Sequence, residues 1–78
     1  MAFSPTEWAV LALTIGGVLS LEATNTAIEA TVDALPGPRS EEKRHAKDAA
    51  AAAVLVGAGA AICVGWALFG PRMLGLLR

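Results

Sequence analysis

Four side chains with oxygen ligands recur at helical spacing within one stretch of this chain. They are Glu22, Asn25, Glu29 and Asp33, in L-E-A-T-N-T-A-I-E-A-T-V-D. At ~100° per residue they fall within an arc of roughly 80° on one helix face. The run before them, Trp8 to Leu21, carries no charge. Ionisable groups at membrane depth are costly, so they normally face protein or a water-filled site and have a task there. A basic connection follows, then Ala46-Lys47-Asp48, then a second apolar run. Phosphoryl transfer needs a divalent cation on the phosphates, positive charge for the transition state and a base near the accepting hydroxyl. Carboxylates and an amide oxygen suit Mg²⁺, which takes hard oxygen ligands. Lys47 offers a point charge to a phosphate. Glu22 is the deepest carboxylate, at the level of a lipid alcohol, and is the expected general base. An ordinary solvated helix end accounts for Asp33, Glu41 and Glu42. It does not account for Glu22, whose neighbours are apolar or small. His45 reads as a solvated residue beside the connection.

Two helices must position these groups. Ser4-Pro5-Thr6-Glu7 carries the pattern of a capped helix start, and Pro36-Gly37-Pro38 cannot continue a helix. The first helix is therefore expected near 5–35 and the connection near 36–40. The second helix is expected near 41–70, with Glu41 and Glu42 at the positive end of its dipole and Gly70-Pro71 as its stop. A short amphipathic tail, 71–78, would follow. The whole chain, 1–78, then makes a single membrane domain.

Composition supports a membrane setting. The 78 residues are 55% hydrophobic and 17% charged, with a net charge of -1. Ala49 to Pro71 has no charged residue, and at ~1.5 Å per residue this run crosses a hydrocarbon core of ~30 Å. Trp8 to Leu21 reaches only ~20 Å, so the first helix spans only by continuing through the acidic stripe. No Lys or Arg precedes that run, which leaves out the basic region of a signal peptide. There is no basic patch of the kind that binds nucleic acid. Arg39, Lys43, Arg44 and Lys47 lie in and just after the connection, against Arg72 and Arg78 at the far end. That bias predicts a cytoplasmic connection, on the side that holds ATP. Trp8 and Trp66 are expected to anchor at the opposite interface. Cys63 is alone and is expected to be a small buried apolar side chain. Small residues recur every four positions, Ala12-Gly16-Ser20-Thr24 on the first helix and Ala49-Ala53-Gly57-Ala61-Gly65 on the second. Such ridges let membrane helices approach closely and predict assembly with other subunits.

The motif Glu22-x-x-Asn25-Thr26-Ala27-Ile28-Glu29-x-x-x-Asp33, followed by Ala46-Lys47-Asp48 and an Ala-rich span, resembles the prokaryotic integral-membrane diacylglycerol kinase and undecaprenol kinase family. The resemblance covers nearly the whole chain. It implies an all-α membrane protein whose two-helix transmembrane hairpin assembles into a homotrimeric bundle in the bacterial inner membrane. It implies transfer of the γ-phosphate of ATP, with Mg²⁺, to a lipid hydroxyl, of diacylglycerol or of undecaprenol. Carried over by motif, Glu22 would be the base and Glu29 the metal ligand. Asn25, Asp33, Lys47 and Asp48 would complete the nucleotide and transfer site. Family members have an N-terminal surface helix and one more transmembrane helix before this hairpin, which supply a further acidic ligand and a basic nucleotide contact. A fragment, a half-enzyme needing a separate chain and a degenerate member all fit that difference. A non-catalytic hairpin subunit is the competing expectation.

Overall fold

The computed structural model describes residues 3–77. They form two helices, α1 (Pro5–Ala34) and α2 (Glu41–Leu77), packed side by side. The expected all-α hairpin is what the chain makes. Its extents, 60 × 21 × 13 Å, are those of a rod two helices wide. Both helices are long and apolar enough to cross a membrane.

Local chemistry sets the helix ends. Ser4 is extended, and its Oγ accepts from the Glu7 amide at 3.2 Å while Glu7 Oε1 accepts from the Ser4 amide at 2.8 Å. This reciprocal pair satisfies two amides that a helix start leaves without partners. At the other end Leu35 precedes a proline, which disfavours the helical region, and it is extended at φ -68°, ψ 135°. Gly37 then takes φ 96°, a left-handed backbone that glycine adopts without a Cβ clash. The Oγ of Ser40 accepts from the Lys43 amide at 3.2 Å and starts α2.

The far end of α2 departs from expectation. The helix does not stop at Gly70-Pro71 but runs through Pro71 to Leu77, so no separate tail forms. Pro71 has no N–H for the Ala67 carbonyl. Contacts from Arg72 support the continuation. Its guanidinium donates to Glu7 Oε2 at 2.7 Å and to the Leu68 carbonyl at 2.6 Å, and lies 4.3 Å from the centre of the Phe3 ring. Phe3 in turn meets Trp8 and Phe69 edge-on, each at 5.3 Å. Glu7 thus caps α1 with one oxygen and ties down α2 with the other. Arg78 lies outside the described residues.

The helices meet along a seam that alternates three- and four-residue steps. On α1 it runs through Leu11, Thr14, Val18, Leu21, Asn25, Ile28 and Val32, and on α2 through Lys43, Lys47, Ala50, Val54, Gly57, Ala61, Val64 and Leu68. A mean step of ~3.5 residues keeps two helices in register along a left-handed pair. Among the described residues only Val32 and Ala50 are buried, while Leu13, Leu19, Leu55, Ile62 and Trp66 are more than half exposed. Most of the outer surface of the spans is therefore apolar. Hydroxyls in the spans turn back on their own helix: Thr14 donates to the Val10 carbonyl at 2.7 Å, Thr24 to Ser20 at 2.8 Å and Thr26 to Glu22 at 3.0 Å. Each finds a partner where lipid offers none.

One expectation changes here, that for Cys63. The small-residue ridge of α1 (Ala12, Gly16, Ser20, Thr24) is exposed and takes no part in the hairpin; of the α2 ridge, Gly57, Ala61 and Gly65 reach the seam. Cys63 is exposed rather than buried, because its position falls between the seam residues Ala61 and Val64. The closest approach is at Gly57, where an added Cβ would run into Leu21 Cδ1. Alanine there is accommodated by turning the flexible end of Leu21, whereas a larger side chain is not. Gly57→Leu is expected to lower hairpin stability by about 1–3 kcal/mol, the usual cost of overpacking. Denaturation by SDS in mixed micelles measures it, and an unshifted midpoint would show that the helices do not meet at Gly57.

Candidate active site

The four acidic-stripe residues separate into two environments. Asn25 occupies a seam position and is partly buried, and its Oδ1 is buried with no hydrogen-bond partner. Glu22, Glu29 and Asp33 are exposed on the flank of α1, turned roughly 50–90° from the seam centre at ~100° per residue. The stripe therefore does not line the inside of the hairpin. Asn25 and Asp33 touch α2, and the carboxylates of Glu22 and Glu29 face outward.

Distance along the axis divides the set again. Glu22 and Glu29 are ~10 Å apart at ~1.5 Å per residue, and Glu29 and Asp33 are ~6 Å apart. No three His, Cys, Asp or Glu side chains come together as a metal cage among the described residues. The donors still fit Mg²⁺. This ion is usually held by one or two carboxylates with substrate phosphates and water completing its shell, not by an all-protein cage. Glu29 and Asp33, one turn apart, are such a pair.

Lys47 and Asp48 come from the second and third turns of α2. Lys47 Nζ reaches across to Asp33 Oδ1 at 2.8 Å, the two side chains being 36% and 66% exposed. With that exposure the pair is worth ~1 kcal/mol or less, so a phosphate can displace Asp33 from Lys47 at little cost. Asp48 is exposed beside it. Asp33, Lys47 and Asp48 line one cleft of about 610 Å³ at the connection, together with Arg39, Lys43 and Arg44. Arg44 is turned aside to Glu41 at 2.9 Å. Glu22, Asn25 and Glu29 lie farther along α1, outside this cleft. His45 is exposed and outside it as well.

Sequence reading missed one polar arrangement here. The Lys43 ammonium points back over the connection and donates toward the carbonyls of Leu35, Pro36, Gly37 and Pro38 at 3.1–3.4 Å. The available signal was the absence of any basic residue in the last turn of α1, with a lysine shortly after the Pro-Gly-Pro break.

The amino-acid sequence matches the family described as prokaryotic diacylglycerol kinase over residues 1–69. The chain belongs to this family. It is 45% identical over 67 residues to the undecaprenol kinase of Bacillus subtilis, an overlap of 86% of this chain and 54% of that protein. It is 49% identical over 70 residues to the diacylglycerol kinase of Synechocystis, covering 88% of this chain and 40% of that protein. The chain thus spans about half the length, or less, of these curated relatives. No solved structure matches it. Family membership and two apolar helices long enough to span identify a membrane protein of a lipid kinase family.

Within this family frame Asn25 is the residue whose structural cost is plainest. A buried acceptor without a partner costs ~1–3 kcal/mol. Asn25→Leu fills the same seam position with apolar surface and removes the orphan oxygen. The hairpin is expected to become as stable or more stable by SDS titration. A marked loss of stability would mean that Asn25 already has a structural partner within the hairpin.

Proposed function

We propose that this hairpin carries the reacting carboxylates of an ATP-dependent lipid kinase, which moves the γ-phosphate of MgATP to the hydroxyl of a membrane lipid alcohol. The observation that carries the reading is the family match over residues 1–69 on a chain whose Glu22, Glu29 and Asp33 stand exposed along one flank. Exposed carboxylate at membrane depth is costly for a merely structural helix.

Placement supports these roles. Glu22, the deepest carboxylate, takes the proton of the lipid hydroxyl, and that oxygen attacks the γ-phosphorus while the bond to ADP breaks. Lys47, released from Asp33, holds the phosphates. Asp48 borders the same cleft and helps fix the nucleotide. Asn25 offers an oxygen that nothing in the hairpin uses, at a position the seam holds still. Glu29, with Asp33 one turn on, is the place for Mg²⁺, which supplies charge neutralisation on the phosphates when bound. Diacylglycerol is the first substrate reading, giving phosphatidic acid. Undecaprenol is the second, favoured by the Bacillus relative that bears that name.

The same reading sets the surroundings. The protein would work in the bacterial cytoplasmic membrane with the connection on the ATP side. It would act as a homotrimer or with a separate chain that brings the remaining helices. The alternative is a non-catalytic hairpin subunit that assembles with other chains.

A radiolabelled-ATP assay in mixed micelles offering both lipids tests the proposal, with the chain alone and with a supplied N-terminal segment. Label is expected in one of the two lipids; none in any preparation would leave the non-catalytic subunit. Glu22→Gln is expected to lower kcat by ~10²–10⁴, the usual contribution of a general base, with little change in the KM for nucleotide. Lys47→Ala is expected to impair both. Full turnover in Glu22→Gln would end its assignment as base. Glu29→Gln is expected to weaken metal-dependent nucleotide binding while helix content is kept. An unchanged Mg²⁺ titration in that variant would take Glu29 out of the site.

A further inference from the structure

We infer that Lys43 is a positioning residue. Its ammonium clamps four main-chain carbonyls of the connection and thereby sets the Asp33–Lys47 pair at the mouth of the cleft. The functional value of that pair rests on the reading of Lys47 as the phosphate contact.

The geometry at the turn carries the inference. Lys43 Nζ lies 3.4 Å from the Leu35 carbonyl, 3.2 Å from Pro36, 3.3 Å from Gly37 and 3.1 Å from Pro38. An ammonium has three N–H donors and no acceptor, so four oxygens share it. Two of these carbonyls belong to prolines, and the turn opens by the left-handed Gly37. The last carbonyls of a helix bear the negative end of its dipole, and a cation near them is stabilising; of the four clamped carbonyls, that of the C-cap Leu35 stands at this end and the other three belong to the connection. α1 has no basic residue in its own last turn. Lys43, from α2, fills that place.

The clamp and the site share their anchors. Lys43 and Lys47 are the two lysines of the chain and sit one turn apart on one face of α2. Both reach to the end of α1, Lys47 to the carboxylate of Asp33 and Lys43 to the main chain that starts two residues later. Holding the second grip fixes how far the first must reach. Lys43 is spent on carbonyls and is not a phosphate ligand, so Lys47 is the lysine left for the nucleotide.

Differential acylation of the full chain in bilayers reads this directly, with the rate at Lys47 followed by mass spectrometry and helix content checked by circular dichroism. Lys43→Met is expected to speed acylation of Lys47 roughly two- to fivefold, the range that loss of a partly exposed ion pair allows. Asp33→Asn sets the upper limit. In a Cys63→Ala background, Lys43→Cys should give the same acceleration. Alkylation of that thiol with 2-bromoethylamine restores an ammonium at nearly the original length and is expected to restore the slow rate, whereas alkylation with iodoacetamide leaves it fast. An unchanged Lys47 rate in Lys43→Met, or equal rescue by the neutral cap, would overturn the inference. Labelling needs no turnover, so its outcome is separate from whether the protein phosphorylates a lipid.

Discussion

Two helices whose surfaces are mostly apolar through their spans gain little from hiding from water once lipid surrounds them. What holds them together is close approach, because dispersion contacts fall off steeply with a gap and the bilayer competes for every face. The seam meets this condition by pairing branched side chains of α1 with small residues of α2. Leu21 lies against the bare backbone of Gly57, and Val32 and Ala50 are the buried residues near the connection. The position of Asn25 in the hairpin and the outward turn of Glu22 and Glu29 follow from which face of α1 that seam occupies. A rotation of α1 by one residue would carry ~100° of surface past α2 and exchange these roles.

Each end of the rod is then closed by a polar contact between helices. At the open end Glu7 joins its own helix cap to Arg72. At the connection Asp33 meets Lys47, and Lys43 gathers the carbonyls of the turn. Polar grip at the ends and apolar packing between them keep charge out of the middle of the span, where it is costliest. Glu22 and Glu29 are the exceptions. Neither carboxylate is used by either grip, which is why they are candidates for chemistry and not for architecture.

Much of this was legible from residue order alone. The capping box at Ser4-Glu7 and the break at Pro36-Gly37-Pro38 are local signals, set by backbone geometry within a few residues. The motif from Glu22 to Asp48 was enough to place the chain in its family. Tertiary facts were less visible. Gly70-Pro71 reads as a stop, yet the helix continues, because the compensating contacts of Arg72 come from Glu7 at the other end of the sequence. The α1 ridge of Ala12, Gly16, Ser20 and Thr24 reads as a packing face, and the hairpin itself packs through the bulkier face on the other side of the helix. A four-residue repeat states that a helix can approach something, not which helix. The Lys43 clamp depends on main-chain oxygens, which the identity of side chains does not reveal.

The exposed flank sets what must surround the hairpin. A carboxylate at the centre of a span costs ~2.5–3.5 kcal/mol or more, and less toward the interface. Glu22 and Glu29 stand on the isolated hairpin with no protein over them, while the unused ridge of α1 lies roughly 150° away around the same helix at ~100° per residue. Small residues let another helix come close at the ridge, and the carboxylate flank needs a cover of its own. On the proposed reading, a helix that docks over that flank, from a second copy or a separate chain, removes the carboxylates from lipid and brings the donors and ligands that one hairpin lacks. On that reading assembly and completion of the site are a single event, because the surface that is costliest to leave bare is the one proposed to react.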